Sequence, residues 1–184
     1  MKRILFVALL LFSLSNVYSQ DRPVFYWNLG NININFNVVE SKWALDLNFA
    51  EFNWIFNNGI FLGVTMLKTF YNFYDGYKPW YSLFPLEVGY QLNLTNNEIL
   101  KLRFYNRLEW QYKNFNSFTS SESGIYDAVG VKLIVGTDHD SLRYNCNFVT
   151  LFTEYTTKKE FRMGITVDLF ICAVFLGGIL LEAL

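Results

Sequence analysis

Period-two alternation is the feature that most narrows what this chain can fold into. In residues 100–114, "LKLRFYNRLEWQYKN", Leu100, Leu102, Phe104, Leu108, Trp110 and Tyr112 alternate with Lys101, Arg103, Arg107, Glu109 and Lys113. Successive strand side chains point to opposite faces, so the pattern marks an amphipathic strand and not a helix. Eight segments carry this rhythm, at about 23–39, 42–57, 59–72, 80–95, 98–113, 125–137, 142–156 and 159–175. The fourth sets Trp80, Phe84, Leu86, Val88, Tyr90, Leu92 and Leu94 against Glu87, Gly89, Gln91 and Asn93. The eighth sets Met163, Ile165, Val167, Leu169 and Ile171 against Arg162, Gly164, Thr166 and Asp168. In the first, Asn31, Asn33, Asn35 and Asn37 oppose Ile32, Ile34 and Phe36. Asn is a poor strand former, so four on one face point to a hydrated or hydrogen-bonding surface.

The second segment breaks phase. Trp43, Leu45, Leu47 and Phe49 are apolar at odd positions, then Phe52, Trp54 and Phe56 at even ones. One extra residue near Ala50 and Glu51, a β-bulge, resets the faces in this way. In the third segment Lys68 falls on the apolar side. "NNG" at 57–59, "TNNE" at 95–98 and "TDHDS" at 137–141 are tight-turn material. The other links are "ESK" (40–42), "TTK" (156–158) and the longer loops 72–79 and 114–124.

Alternation alone leaves open which face is inside. The charged share, 17%, lies below the roughly 25% of ordinary globular domains, and aromatic residues reach 20%. The first 19 residues have a basic tip at Lys2 and Arg3 and a short apolar run, the pattern of a cleaved signal peptide. Without those two cations the remaining chain, 20–184, carries net charge −3, which argues against a nucleic-acid partner. No later run reaches the roughly 20 apolar residues of a spanning helix. Segments of this length exceed the usual five or six residues of a globular strand, and Trp43, Trp54, Trp80, Trp110 and Tyr112 sit near strand ends. These features favour lipid outside and polar residues inside. Two alternatives stay open: a soluble periplasmic lipocalin-like barrel holding a hydrophobic molecule, and a narrow polar channel.

Over residues 20–175 the chain resembles the small eight-stranded outer-membrane β-barrels of bacteria in architecture, with no motif specific to one family. The resemblance implies an all-β, antiparallel up-and-down transmembrane barrel of porin-like form. It also implies residence in the outer membrane of a diderm bacterium, with outer-membrane lipid and the assembly machinery as partners. Such barrels usually end on a Phe that this machinery recognises. Here the chain finishes on Leu184 after an apolar tail, 176–184.

With lipid outside, the expected lumen charge network is Glu87, Lys101, Arg103, Arg107, Glu109, Lys132, Arg143, Arg162 and Asp168, joined by Asp46 and Glu51. An eight-stranded lumen is narrow enough to be filled by side chains, and unpaired charge there costs several kcal/mol, on the order of a strongly destabilising mutation. A near-balanced set therefore reads as an internal plug. Counting back from the 95–98 turn, one register sets Glu87 opposite Arg107 and Gln91 opposite Arg103. No catalytic, cofactor or metal residues are expected. The one His, His139, lies in turn material beside Asp138 and Asp140, where Asp is common anyway. Cys146 and Cys172 read as packing residues. The loops 72–79 and 114–124 mix Tyr, Phe, Ser, Asn and Gly, so they are the candidate contact for an extracellular ligand.

Overall fold

The computed structural model describes residues 24–73, 80–95, 99–112, 124–139, 144–169 and 173. Eight strands follow one another: β1 Val24–Asn37, β2 Lys42–Ile55, β3 Ile60–Asn72, β4 Trp80–Asn93, β5 Leu100–Tyr112, β6 Gly124–His139, β7 Tyr144–Thr156 and β8 Phe161–Asp168. Each pairs antiparallel with the next, and β1 pairs with β8, closing an up-and-down barrel. Closure satisfies the edge strands that an open sheet of such amphipathic ribbons would expose.

The apolar rows face outward. Ile34, Phe104, Leu108, Trp110, Val129 and Leu151 are exposed, whereas Asn31, Asn33, Asn35 and Asn37 are buried in the lumen. Phe61, Tyr105 and Tyr126 are buried among the polar groups. Small residues make room for them. A side chain at Gly130 would meet the Tyr105 ring, and one at Gly164 the Phe152 ring.

Four adjacent strands change face at one level. Going up β1, burial shifts from Asn28 to Asn31, and in β2 from Asp46 to Asn53, around Gly30 (φ 140°) and Ala50 (φ 51°). In β3 it shifts from Gly63 to Lys68, and in β4 from Ser82 to Pro85, beside Phe84 (φ 51°). The reset expected in β2 is present, but it is no bulge against its neighbours. Asn28 pairs with Glu51 and Gly30 with Phe49, a single register through the kink, because β1 resets as well. The extra residue appears only where the row of kinks ends. β4 places Phe84 and Pro85 against Glu109 alone, between Leu83↔Trp110 and Leu86↔Leu108. Pro lacks an amide hydrogen and is confined to such irregular places. A second slip lies at Phe148, between Val135↔Val149 and Gly136↔Asn147.

Three expectations need correction. β8 stops at Asp168 and Leu169 is helical, so the strand does not run on to 175. The tail 176–184 lies outside the described residues. β6 extends to His139, so Thr137, Asp138 and His139 are ladder residues opposite Cys146, Asn145 and Tyr144 rather than a turn. Trp80 faces the barrel mouth, where the Lys158 ammonium lies 5.5 Å from its ring. The bulge at Phe84 and Pro85 moves it off the outer face.

Candidate functional site

The lumen is the candidate site, and pairing register decides who meets whom inside it. Glu87 pairs with Arg107 and Gln91 with Arg103 in the β4–β5 ladder, the register counted from the turn. Arg103 accordingly donates to Gln91 Oε1 at 2.7 Å and lies 4.1 Å over the Phe61 ring. The ion pairs cross to other strands. Lys132 of β6 reaches both Glu87 oxygens, at 2.6 and 2.8 Å, and Arg103 stands 4.0 Å from the same carboxylate. Arg107 reaches over to Glu154 of β7, its Nη2 lying 2.9 and 3.0 Å from the two oxygens. The Tyr105 hydroxyl donates to Glu154 at 2.8 Å.

A second group sits above the kinks. Lys68 lies 3.5 Å from Asp46 and 3.6 Å from Glu109. Arg107 Nε stands 3.7 Å from Glu109, and Gln111 donates to that carboxylate at 3.1 Å. Nearer the mouth, Arg162 pairs with Glu160 at 2.6 Å and lies 5.4 Å from the Tyr126 ring. At the opposite end, Asn28 donates to Asp168 at 2.6 Å, and Lys101 is fully buried.

Glu87, Lys101, Arg103, Arg107, Glu109, Lys132, Arg162 and Asp168 thus all lie in the lumen, as do Asp46 and Glu51. Arg143 is outside the described residues. Two members were missed in the sequence. Lys68 enters the lumen because β3 resets its phase, and Glu154 enters because the slip at Phe148 shifts β7 by one residue. The signal for Lys68 was its own anomaly, a cation on an otherwise apolar row. Glu154 had a weaker one: it is the lone acid between Phe152 and Thr156.

The arrangement leaves little open space. A polar cavity of about 70 Å³ lies between the Asn rows of β1 and β2 and the ion pairs of β4–β7. That is room for a few small species. Its walls are polar, so an apolar cargo would gain little by entering, while the apolar side chains face out. Among the described residues no three His, Cys, Asp or Glu gather to hold a metal ion. The loops 72–79 and 114–124 fall almost wholly outside the described residues, as do the 96–98 and 140–143 connections. The chain matches no protein-family model, and a search of curated proteins finds no match.

Proposed function

We propose that the protein is a non-enzymatic outer-membrane barrel whose lumen is plugged by its own ion pairs, with a structural or surface-interaction role. The supporting observation is the exterior. Exposed apolar side chains cover the whole circumference, from Ile34 and Trp43 through Phe84, Leu108 and Val129 to Leu151 and Ile165. Contiguous apolar surface on that scale is rare on a protein bathed in water. Aromatic pairs stand at both ends of the wall: Phe36 beside Trp43 at one, and Phe25 beside Phe52 and Trp54 at the other. On these two strands, β1 and β2, the aromatic pairs stand where membrane barrels place aromatic residues, at the two water interfaces.

In this reading residues 1–19 direct export, outer-membrane lipid covers the wall, and the assembly machinery inserts it. The tight 57–59 turn lies at the periplasmic end, where short connections belong. The loops 72–79 and 114–124 then project from the cell and carry any recognition. The deciding test is migration on a gel of detergent-extracted membranes, unheated and boiled. A folded barrel should run at a different position until boiled. Release of the mature protein by osmotic shock without detergent would overturn the membrane assignment.

A further inference from the structure

We propose that the lumen holds one alkali-metal cation between β1 and β2, bound by the Glu51 carboxylate and the side-chain oxygens of Asn31, Asp46 and Asn48. The proposal concerns the lumen alone and stands apart from the membrane reading.

The first ground is charge. Lys132 and Arg103 serve Glu87, Arg107 serves Glu154, and Lys68 is divided between Asp46 and Glu109. Four cations are thus matched to four acids. Glu51 is a fifth acid on the same cavity, and among the described residues it has no ion pair within 4.0 Å. Its hydrogen bonds come from the side chains of Asn31 and of Asn48 (3.1 Å), and the cation acting on it, Lys132, is already bound to Glu87. Glu51 is half-buried, and a carboxylate drawn from water without a counter-charge of its own is unfavourable, so a single positive charge completes the group.

The second ground is hydrogen bonding. Asn31 Oδ1, Asp46 Oδ1 and Asn48 Oδ1 are shielded from solvent and have no hydrogen-bond partner. Asn31 and Asp46 are each only 4% exposed, and all three residues line the cavity. Asn31 pairs with Asn48, and Asp46 stands one inward position along, opposite Asn33. Buried polar atoms are nearly always satisfied, so three acceptors together call for a species that offers only positive charge or donors. Amide carbonyl oxygens replace the hydration shell of alkali cations in this way. Calcium would take six to eight oxygens with several carboxylates, whereas this patch offers one unpaired carboxylate. A monovalent ion fits the charge and the donors.

The test uses the folded full-length protein in detergent, with its unfolding temperature read in sodium, potassium, calcium and choline chloride at equal ionic strength. With sodium or potassium at about a hundred times its dissociation constant, the midpoint should stand about 5–10 °C above that in choline. Glu51→Gln should abolish that difference. Equal midpoints in all salts would overturn the site, leaving water, or a proton on Glu51, in its place. A rise in calcium alone would overturn the monovalent assignment, and a Glu51→Gln protein that keeps the full difference would overturn the location. Should Glu51→Gln not fold, the sodium-23 resonance decides. It should broaden with wild-type protein and sharpen on adding potassium, and a linewidth unchanged by the protein would overturn the proposal. Asn48→Ala, at a less buried position, should weaken the sodium dependence at least tenfold.

Discussion

Lys68 is 2% exposed, and its ammonium is shared by two carboxylates and the Phe70 ring, 4.3 Å away. Moving such a group from water is favourable only if its partners stay in place. The same holds for Arg107 between Glu154 and Glu109. Truncating either cation leaves buried acids uncompensated. Lys68→Ala and Arg107→Ala should each lower stability by about 3–5 kcal/mol, read from the urea midpoint in detergent. Lys42→Ala is the comparison: its pair with Glu40 is 3.1 Å long but well exposed at both ends, and its loss should cost at most about 1 kcal/mol. If all three variants unfold together, the lumen pairs carry no special weight. Most of this network was legible from alternation alone, because Lys101, Arg103, Arg107 and Glu109 sit on β5, which keeps one phase from Lys101 to Gln111 and departs from it only at its last residue, the buried Tyr112. Lys68 and Glu154 were not, because their facing depends on a reset elsewhere in their strands.

Within the strands, the resets in β1–β4 separate a lower set of inward residues from an upper one. Two of the residues that make the turn, Ala50 and Phe84, hold φ of 51°, where a side chain crowds the following carbonyl. In β2 the reset was legible, since Phe52, Trp54 and Phe56 follow Trp43, Leu45 and Leu47 out of phase. In β4 it was not. Trp80 suits either face, and the marker was Pro85, a residue that a regular inner strand excludes. The matched resets in β1 and β3 follow from pairing, since a face change in β2 alone would break two ladders. Gly30 is the glycine within the kinks: any Cβ there would collide with the Asn48 carbonyl. Gly30→Ala should therefore cost more than about 2 kcal/mol. Ala50→Gly should instead raise stability by about 0.5–1 kcal/mol, relief of the left-handed conformation exceeding the added chain entropy. Loss of stability in Ala50→Gly would show that the kink is not strained there.

At the scale of the whole molecule, a charge placed on the wall reports the solvent that the wall meets. Leu151, 52% exposed, lies midway along β7, in one row with Leu133 and Ile165. Tyr155, on the same outward face, stands one residue from the end of that strand and beside Phe161. In water an Arg at either place meets the same medium, and neither change should exceed about 0.5 kcal/mol, as for any exposed site. In a bilayer the two differ by depth. Arg at the midplane costs about 2–4 kcal/mol, falling to about 0–1 kcal/mol near an interface. Leu151→Arg should therefore lower the stability of the barrel refolded into lipid vesicles by several times as much as Tyr155→Arg, both read from urea titrations of the gel shift. The difference between the two variants cancels any general effect of adding a cation to a chain of net negative charge. Equal, small losses at both positions would mean that the apolar wall is not immersed, and the barrel would then need another cover for its exposed face.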